Sequence, residues 1–147
     1  MTYKFSETSK QRREGIDPRL IAISDRAIEL TLVDFGIPQD GGVRTPERQN
    51  ELYRANKSKC DGFDKLSNHQ IKPGKEYGEA LDFYAYVDGA ASWKYEHLAM
   101  VAAAFLQAAS ELGIRIKWGG LWKSASSKTS NGISYGWDCP HIELDEG

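Results

Sequence analysis

Residues 67–82, SNHQIKPGKEYGEALD, hold a histidine and a carboxylate around which the rest of the chain is organised. Of the three histidines, His69 and His141 lie in short polar surroundings, whereas His97 falls in a predicted helix and is interpreted as a surface or boundary residue. Imidazole and carboxylate are usual donors to Zn²⁺, and three protein ligands leave a fourth position for water in catalytic sites. The sequence therefore predicts a zinc site made by His69, Asp82 and His141.

Length and charge favour one domain without a nucleic-acid partner. The chain has 147 residues, which is enough to bury a core without disulfides or oligomerisation. Lys plus Arg number 19 and Asp plus Glu 21, for a net charge of -2, so no basic field indicates binding to nucleic acid or to anionic lipid. We expect one domain over residues 1–147, acting as a monomer.

Targeting signals and a disulfide framework are not expected. Cys60 and Cys139 are the only cysteines, which predicts free thiols in a reducing compartment. The N-terminal segment has no apolar run, and no stretch approaches 18 consecutive apolar residues, so neither a signal peptide nor a membrane span is predicted. These features indicate a protein made in the cytoplasm.

Two helices are predicted from a capping residue followed by proline. Asp17 and Thr45 are the capping residues, and the helices extend to about residues 32 and 57. Residues 1–16 are polar and are expected to wrap the surface. The apolar stripe of the first helix is predicted from its spacing: Leu20, Ile21, Ser24, Ala27 and Ile28.

A third, longer helix is the main predicted core element. Ser92 is its expected N-cap, and Gly113 stands where a left-handed C-terminal residue would end it. Its predicted buried stripe comprises Leu98, Val101, Ala102, Phe105, Ala109 and Leu112.

The remaining segments predict strands and loops. Strands are expected within residues 33–43, 81–87, 114–118 and 141–144. In the second, LDFYAYV, alternation places Asp82 on the face opposite the most apolar side chains. Residues 70–78 and 119–137 are rich in Gly, Pro or Ser and predict loops, the second of them over the site.

Hydrolysis at a metal centre also needs a base and a cation. Asp138 precedes His141 by three residues, and Pro140 between them prevents a helix, so a bend can bring both side chains into one cleft. Arg44 lies between a Gly-Gly turn and a capped helix, from which a guanidinium can reach a substrate carbonyl or carboxylate. The alternatives are an ordinary turn residue for Asp138 and a surface ion pair for Arg44.

These residues resemble the zinc peptidases of the D-alanyl-D-alanine carboxypeptidase and VanX/VanY type, which include phage L-alanyl-D-glutamate endopeptidases used as endolysins. The family pattern is Ser-x-His, then Gly-x-Ala-x-Asp, then an acid two residues before Pro-His. The matching segments here are SNH at 67–69, GEALD at 78–82 and DCPH at 138–141. The segments FSETSKQRREGIDPRL, GGVRTPERQNELY and WGGLW are similar to the endolysin branch.

The resemblance implies an α+β fold with helices packed on a small antiparallel sheet, as in hedgehog and D-Ala-D-Ala peptidases. It implies the following roles: zinc ligands His69, Asp82 and His141, catalytic base Asp138, and substrate-polarising Arg44. Ser67 is either a residue that orients a ligand or substrate, or a simple turn residue. Trp118, Trp122 and Trp137 are interpreted as core or loop anchors, with a cleft wall as the alternative.

Two departures from the family pattern stand out. The first histidine and the aspartate are thirteen residues apart here instead of seven, so about six residues, KPGKEY, are inserted beside the expected cleft. As a loop the insertion need not disturb the ligands, but at the border of the cleft it can alter substrate fit or shift His69. Asp17 replaces a histidine of the endolysin branch at a helix cap, where we expect no effect.

Three functions remain open at this point. The first is a zinc endopeptidase that cuts the peptide stem of bacterial peptidoglycan between L-Ala and D-Glu for phage lysis. The second is a carboxypeptidase or dipeptidase that removes terminal D-Ala. The third is a non-catalytic wall-binding zinc domain, which Asp138 argues against. The lack of an export signal favours an endolysin that waits in the host cytoplasm for a holin.

Overall fold

Four helices and eight strands form in the residues that the computed structural model describes, namely 2–128, 134–136 and 138–146. The helices are α1 (Glu7–Arg12), α2 (Pro18–Leu30), α3 (Pro46–Arg54) and α4 (Tyr95–Leu112). The strands are β1 (Asp34–Gly36), β2 (Ala80–Asp82), β3 (Tyr84–Val87), β4 (Ala90–Ser92), β5 (Ile116–Trp118), β6 (Lys123–Lys128), β7 (Ser134–Gly136) and β8 (His141–Leu144). All their pairings are antiparallel, so the predicted α+β class is confirmed.

Both predicted proline-led helices begin where the sequence indicates. The Asp17 carboxylate accepts a hydrogen bond from the Arg19 amide at 2.9 Å, and the Thr45 hydroxyl accepts one from the Arg48 amide at 3.1 Å. Both helices end two or three residues before the predicted limits. After α3 the chain turns at Asn56, whose φ of 61° stops the helix.

The prediction that residues 1–16 only wrap the surface is wrong. Ser6 caps α1 by accepting from the Ser9 amide, and the segment that flanks α1 enters the core. The Phe5 ring meets the Phe35 ring edge to face at 5.3 Å, and the Arg13 guanidinium lies 4.8 Å above Phe5. Burial of one aromatic ring gives this polar segment the apolar contact that its composition does not suggest.

The long helix α4 supplies most of the core, with a later start than predicted. Lys94 is its N-cap, whereas Ser92 ends β4 and places its hydroxyl 2.7 Å from His97 Nδ1. Gly113 ends the helix at φ 69°, as predicted. The predicted stripe is buried except for Leu112, which is 45% exposed. Within the core, Phe105 stacks on Phe83 at 5.1 Å.

The predicted single strand over residues 81–87 is two strands in different sheets. β2 pairs with β8, whereas β3 pairs with β1 and β4. The switch occurs at Phe83, whose amide donates to the carbonyl of Pro140 while its ring is fully buried. Because alternation does not reveal pairing partners, the pattern cannot show that one apolar run serves two sheets.

The second sheet has the order β2-β8-β5, so β8 lies in its middle. The predicted loop over residues 119–137 instead contains a short 3-10 helix, Gly119–Leu121, and the β6-β7 hairpin. Residues 129–133 and 137 of that prediction, including Trp137, lie outside the described residues. Residues 70–78 have no helix and no extended strand, as predicted.

Two further predictions can be compared with the structure. Cys60 and Cys139 are free thiols, as expected. Within the described parts of the chain, no helix is both long enough and apolar enough to cross a bilayer.

Candidate metal centre

The side chains of His69, Asp82 and His141 converge on one point beside β8. His69 Nε2 lies 3.2 Å from both Asp82 Oδ1 and His141 Nδ1, and His141 Nδ1 lies 3.0 Å from Asp82 Oδ1. The three donor atoms thus form a nearly equilateral triangle. Asp82 on β2 faces His141 on β8 as a cross-strand pair, so sheet register alone fixes two of its corners.

The ring of His69 is oriented by the backbone. Its Nδ1 lies 3.0 Å from the carbonyl oxygen of Gly42, which can only accept, so Nδ1 carries the proton. The lone pair of Nε2 then faces Asp82 and His141. The segment is held from the other side as well, since the Arg44 amide donates to the His69 carbonyl at 3.0 Å. His69 is 2% exposed.

The ring of His141 has the opposite orientation. Its Nε2 lies 2.8 Å from Glu143 Oε1, so Nε2–H donates to that carboxylate and Nδ1 is the nitrogen that faces the triangle. Glu143 was not among the predicted site residues. The signal that could have found it is its position two residues after His141 on a strand, where alternate side chains share one face.

The triangle favours one positive charge at its centre. Burial would lower the pKa of His141, yet hydrogen bonds to Asp82 and Glu143 raise that pKa to about 10. Burial likewise opposes ionisation of Asp82, and the two histidines outweigh it and hold the pKa of that carboxyl far below its usual range. Burial lowers the pKa of His69. The carboxylate of Asp82 is therefore ionised and faces two imidazole rings, one of them with a raised pKa.

The same triangle fits a zinc ion. Tetrahedral zinc with bonds of about 2.0–2.2 Å separates its ligand atoms by roughly 3.3 Å, close to the 3.0–3.2 Å sides found here. Two imidazole nitrogens and one carboxylate oxygen are a usual donor set of catalytic zinc sites. The three donors lie within 4.8 Å of one another, so they could hold a metal ion.

Asp138 lies next to the triangle. Its Oδ2 is 3.7 Å from His141 Nδ1, and the bend predicted before Pro140 is closed by the His141 amide, which donates to the Asp138 carbonyl at 3.2 Å. The Asp138 amide donates to the carbonyl of Gly119. A Cβ at Gly119 would overlap the backbone carbonyl oxygen of Asp138, so only glycine fits there. Burial raises the pKa of Asp138 to about 6 against the attraction of His141, as suits a group that takes up and releases a proton.

Arg44 is bound to the candidate ligand Asp82. Its Nη2 donates to Asp82 Oδ2 at 3.0 Å, its Nη1 to Gln49 Oε1 at 3.1 Å, and its Nε to the carbonyl of Asp40 at 2.9 Å. These bonds fix the carboxylate whose other oxygen enters the triangle. Gln49, fully buried, was missed by sequence reasoning, because a polar residue inside a polar helix gives no signal.

Ser67 acts on the backbone of the site segment. Its hydroxyl accepts from the His69 amide at 3.1 Å, and its amide donates to Gln70 Oε1 at 2.9 Å. Ser67 therefore shapes the turn that presents His69. It also lines the cleft.

A cleft of about 580 Å³ opens over the triangle. Trp122 forms part of its wall, with its ring 5.1 Å from the ring of His141, whereas Trp118 is buried. Lys57 and Lys59, which follow α3, also line the cleft. The cleft wall thus carries basic side chains in addition to the carboxylates at the triangle.

The inserted segment does not displace the site. None of the described residues 70–79 lines the cleft, so the expectation that the insertion borders it is wrong. The segment ends against the N-terminal part of the chain, where the Gly78 amide donates to the carbonyl of Gly15 and the Asp17 amide donates to that of Gly78. His69 remains in the triangle.

The fold and the site are those of a candidate metal-dependent hydrolase, with an α+β fold, a His-Asp-His donor set and a half-buried carboxylate beside it. The family model described as phage L-alanyl-D-glutamate peptidase matches residues 1–145, and the chain belongs to that family. The L-alanyl-D-glutamate peptidase of Escherichia phage T5 is 34% identical over 146 residues, covering 98% of this chain and 99% of that protein. The crystal structure of the L-Ala D-Glu endopeptidase ChiX of Serratia marcescens superposes with a TM-score of 0.71 at 29% identity, covering 97% of this chain and 90% of that one.

Proposed function

We propose that this protein is a zinc-dependent endopeptidase that hydrolyses the L-Ala to D-Glu bond in the peptide stem of bacterial peptidoglycan, as a phage endolysin of the VanX/VanY-related zinc peptidases. The observation that carries the proposal is the donor triangle of His69, Asp82 and His141 with Asp138 Oδ2 at 3.7 Å from one corner. The names of the relatives indicate which peptide bond is cleaved, and the geometry of the triangle supports metal-assisted hydrolysis.

The roles of the side chains follow from their positions. A bound zinc ion supplies Lewis acidity, which lowers the pKa of a water molecule and polarises a carbonyl oxygen. Asp138 accepts the proton of the attacking water on its carboxylate and then donates it to the leaving amine of D-Glu. Arg44 holds Asp82 in place, and because a guanidinium has five N–H groups, it retains donors for a substrate carbonyl or carboxylate.

The site of action follows from the same proposal. We infer that the protein collects in the host cytoplasm and reaches the wall after a holin has opened the membrane. Residues 1–147 act as one catalytic domain, as a monomer, on the stem peptide. Fractionation of infected cells tests the location, and sedimentation of the purified protein tests the monomeric state.

The test of the activity is mass spectrometry of fragments released from purified peptidoglycan. We expect new D-Glu amino termini, their loss after treatment with a chelator, and their return on addition of zinc. Release of free D-Ala would assign the protein to the carboxypeptidases instead. If no product forms, the result supports the third function, a non-catalytic wall-binding domain.

The two lysines of the cleft wall, Lys57 and Lys59, predict a charge effect on substrate binding. A glutamate within a peptide stem keeps one carboxyl group free, so the substrate carries negative charge close to the scissile bond. Replacing Lys57 and Lys59 together by alanine should raise KM roughly threefold to tenfold at low salt with kcat nearly unchanged. The effect should shrink as salt screens the charges.

The measurement is hydrolysis of a soluble stem peptide at two ionic strengths. A matched control replaces Lys4 and Lys94, which are exposed and do not line the cleft. Equal KM values for the two double variants would exclude recognition of the substrate by Lys57 and Lys59.

A further inference from the structure

Glu143 lines the cleft beside the metal triangle and contacts His141, and the mechanism above does not use it. Its side chain is 12% exposed, and Oε1 accepts from His141 Nε2 at 2.8 Å. A carboxylate at this distance keeps the proton on Nε2, so Nδ1 is the nitrogen left to bind a metal ion beside His69 and Asp82. The orientation of one corner of the triangle thus depends on Glu143.

The second oxygen of Glu143 is also fixed. Asn68 donates from Nδ2 to Glu143 Oε2 at 2.9 Å. Two hydrogen bonds, one on each oxygen, define the plane of the carboxylate. Asn68 directly precedes the candidate ligand His69 in sequence. The same short segment therefore supplies one ligand and holds the Glu143 carboxylate that contacts a second ligand, His141.

Asn68 is in turn oriented by the inserted segment. Lys72, the first residue of KPGKEY, donates from its ammonium group to Asn68 Oδ1. Because a lysine can only donate, the amide oxygen must face Lys72 and the NH₂ group must face Glu143. The Glu79 amide closes the other end of the segment by donating to the Asn68 carbonyl at 2.8 Å.

We propose that Glu143 is a positioning residue for the metal ligand His141, and that Asn68 and Lys72 hold it in place. This inference rests on the metal centre of the proposed function. It gives the inserted segment a role: through Lys72 and Asn68 it holds the carboxylate that orients a metal ligand. The carboxylate also strengthens His141 as a donor, since a negative hydrogen-bond acceptor increases the basicity of the far nitrogen.

The test compares zinc dissociation constants, measured by competition with a chromophoric chelator, for wild type and three variants. Glu143→Gln should weaken zinc binding about tenfold to a hundredfold. Lys72→Met should weaken it less. Lys75→Met is the matched control, because Lys75 lies in the same segment but pairs with Glu79 and Glu146, and it should bind zinc as wild type does.

A spectroscopic readout separates positioning from a general structural effect. In the zinc-loaded wild type, the His141 Nε2–H should give a slowly exchanging imidazole proton signal in NMR, which shifts in Glu143→Gln while the amide spectrum remains that of the folded protein. Should Glu143→Gln fail to fold, the comparison of Lys72→Met with Lys75→Met decides in its place.

The outcomes distinguish the two proposals. Wild-type zinc affinity in folded Glu143→Gln, or equal affinities of the two lysine variants where Glu143→Gln does not fold, would overturn the positioning role and leave the endopeptidase intact. Absence of zinc binding by the wild type would overturn both. An unchanged imidazole signal in the folded variant would also count against Glu143.

Discussion

Replacing Asp138 by asparagine should lower kcat by about 10²–10⁴-fold while the protein still binds zinc. The asparagine has the same size but cannot take a proton from water or return it to the leaving amine. Asp138 is not a corner of the triangle, and its Oδ2 lies 3.7 Å from His141 Nδ1, so the metal ligands should stay in place. The measurement is turnover of a stem peptide together with zinc content per protein.

Asp64→Asn is the control for this change, since Asp64 is exposed and does not line the cleft. It should retain full activity. The role of Asp138 would have to be abandoned if Asp138→Asn kept more than about a tenth of the wild-type kcat, because removal of a general base costs at least 10²-fold in typical cases.

Replacing Asp82 by alanine should abolish zinc binding and activity, and should destabilise the metal-free protein by roughly 3 kcal/mol. The variant loses one corner of the triangle. It also leaves the Arg44 guanidinium, whose side chain is 12% exposed, without the carboxylate that it contacts at 3.0 Å. A buried charge without its partner is costly, because the protein cannot replace the lost hydration.

Urea unfolding of the metal-free protein and metal analysis after dialysis measure the two effects separately. Asp40→Ala is the matched control, since Asp40 contacts Arg48 at 2.8 Å with both side chains about a third or more exposed. It should cost under about 1 kcal/mol. Stoichiometric zinc in Asp82→Ala would contradict the proposed ligand set.

The sequence predicts those features of the fold that depend on neighbours along the chain. The caps at Asp17 and Thr45 and the end of α4 at Gly113 follow from local hydrogen bonds and backbone conformation, and all three are found. Ser92 failed as a cap because β4 extends through it and pairs it with Ala85. Pairing between distant segments outweighed the local preference of a serine.

The candidate site was predictable where spacing and residue type agree with a family pattern. His69, Asp82, His141 and Asp138 are brought together as expected. The groups that support them were not predicted. Glu143, for instance, contacts the ring nitrogen of His141 that faces away from the triangle. Such a contact depends on the three-dimensional fold, which a single sequence does not display.

Strand β8 lies in the middle of its sheet and brings His141 to Asp82 and His69, which lie 59 and 72 residues earlier in the chain. Contacts between such distant residues are slow to form, because the entropy of closing the loops must be offset first. The complete candidate metal site therefore exists only after the sheet is assembled. An ion that binds only the assembled site would slow unfolding and would have little effect on the rate of folding. Loss of the ion would shorten the lifetime of the folded enzyme without making the chain harder to fold.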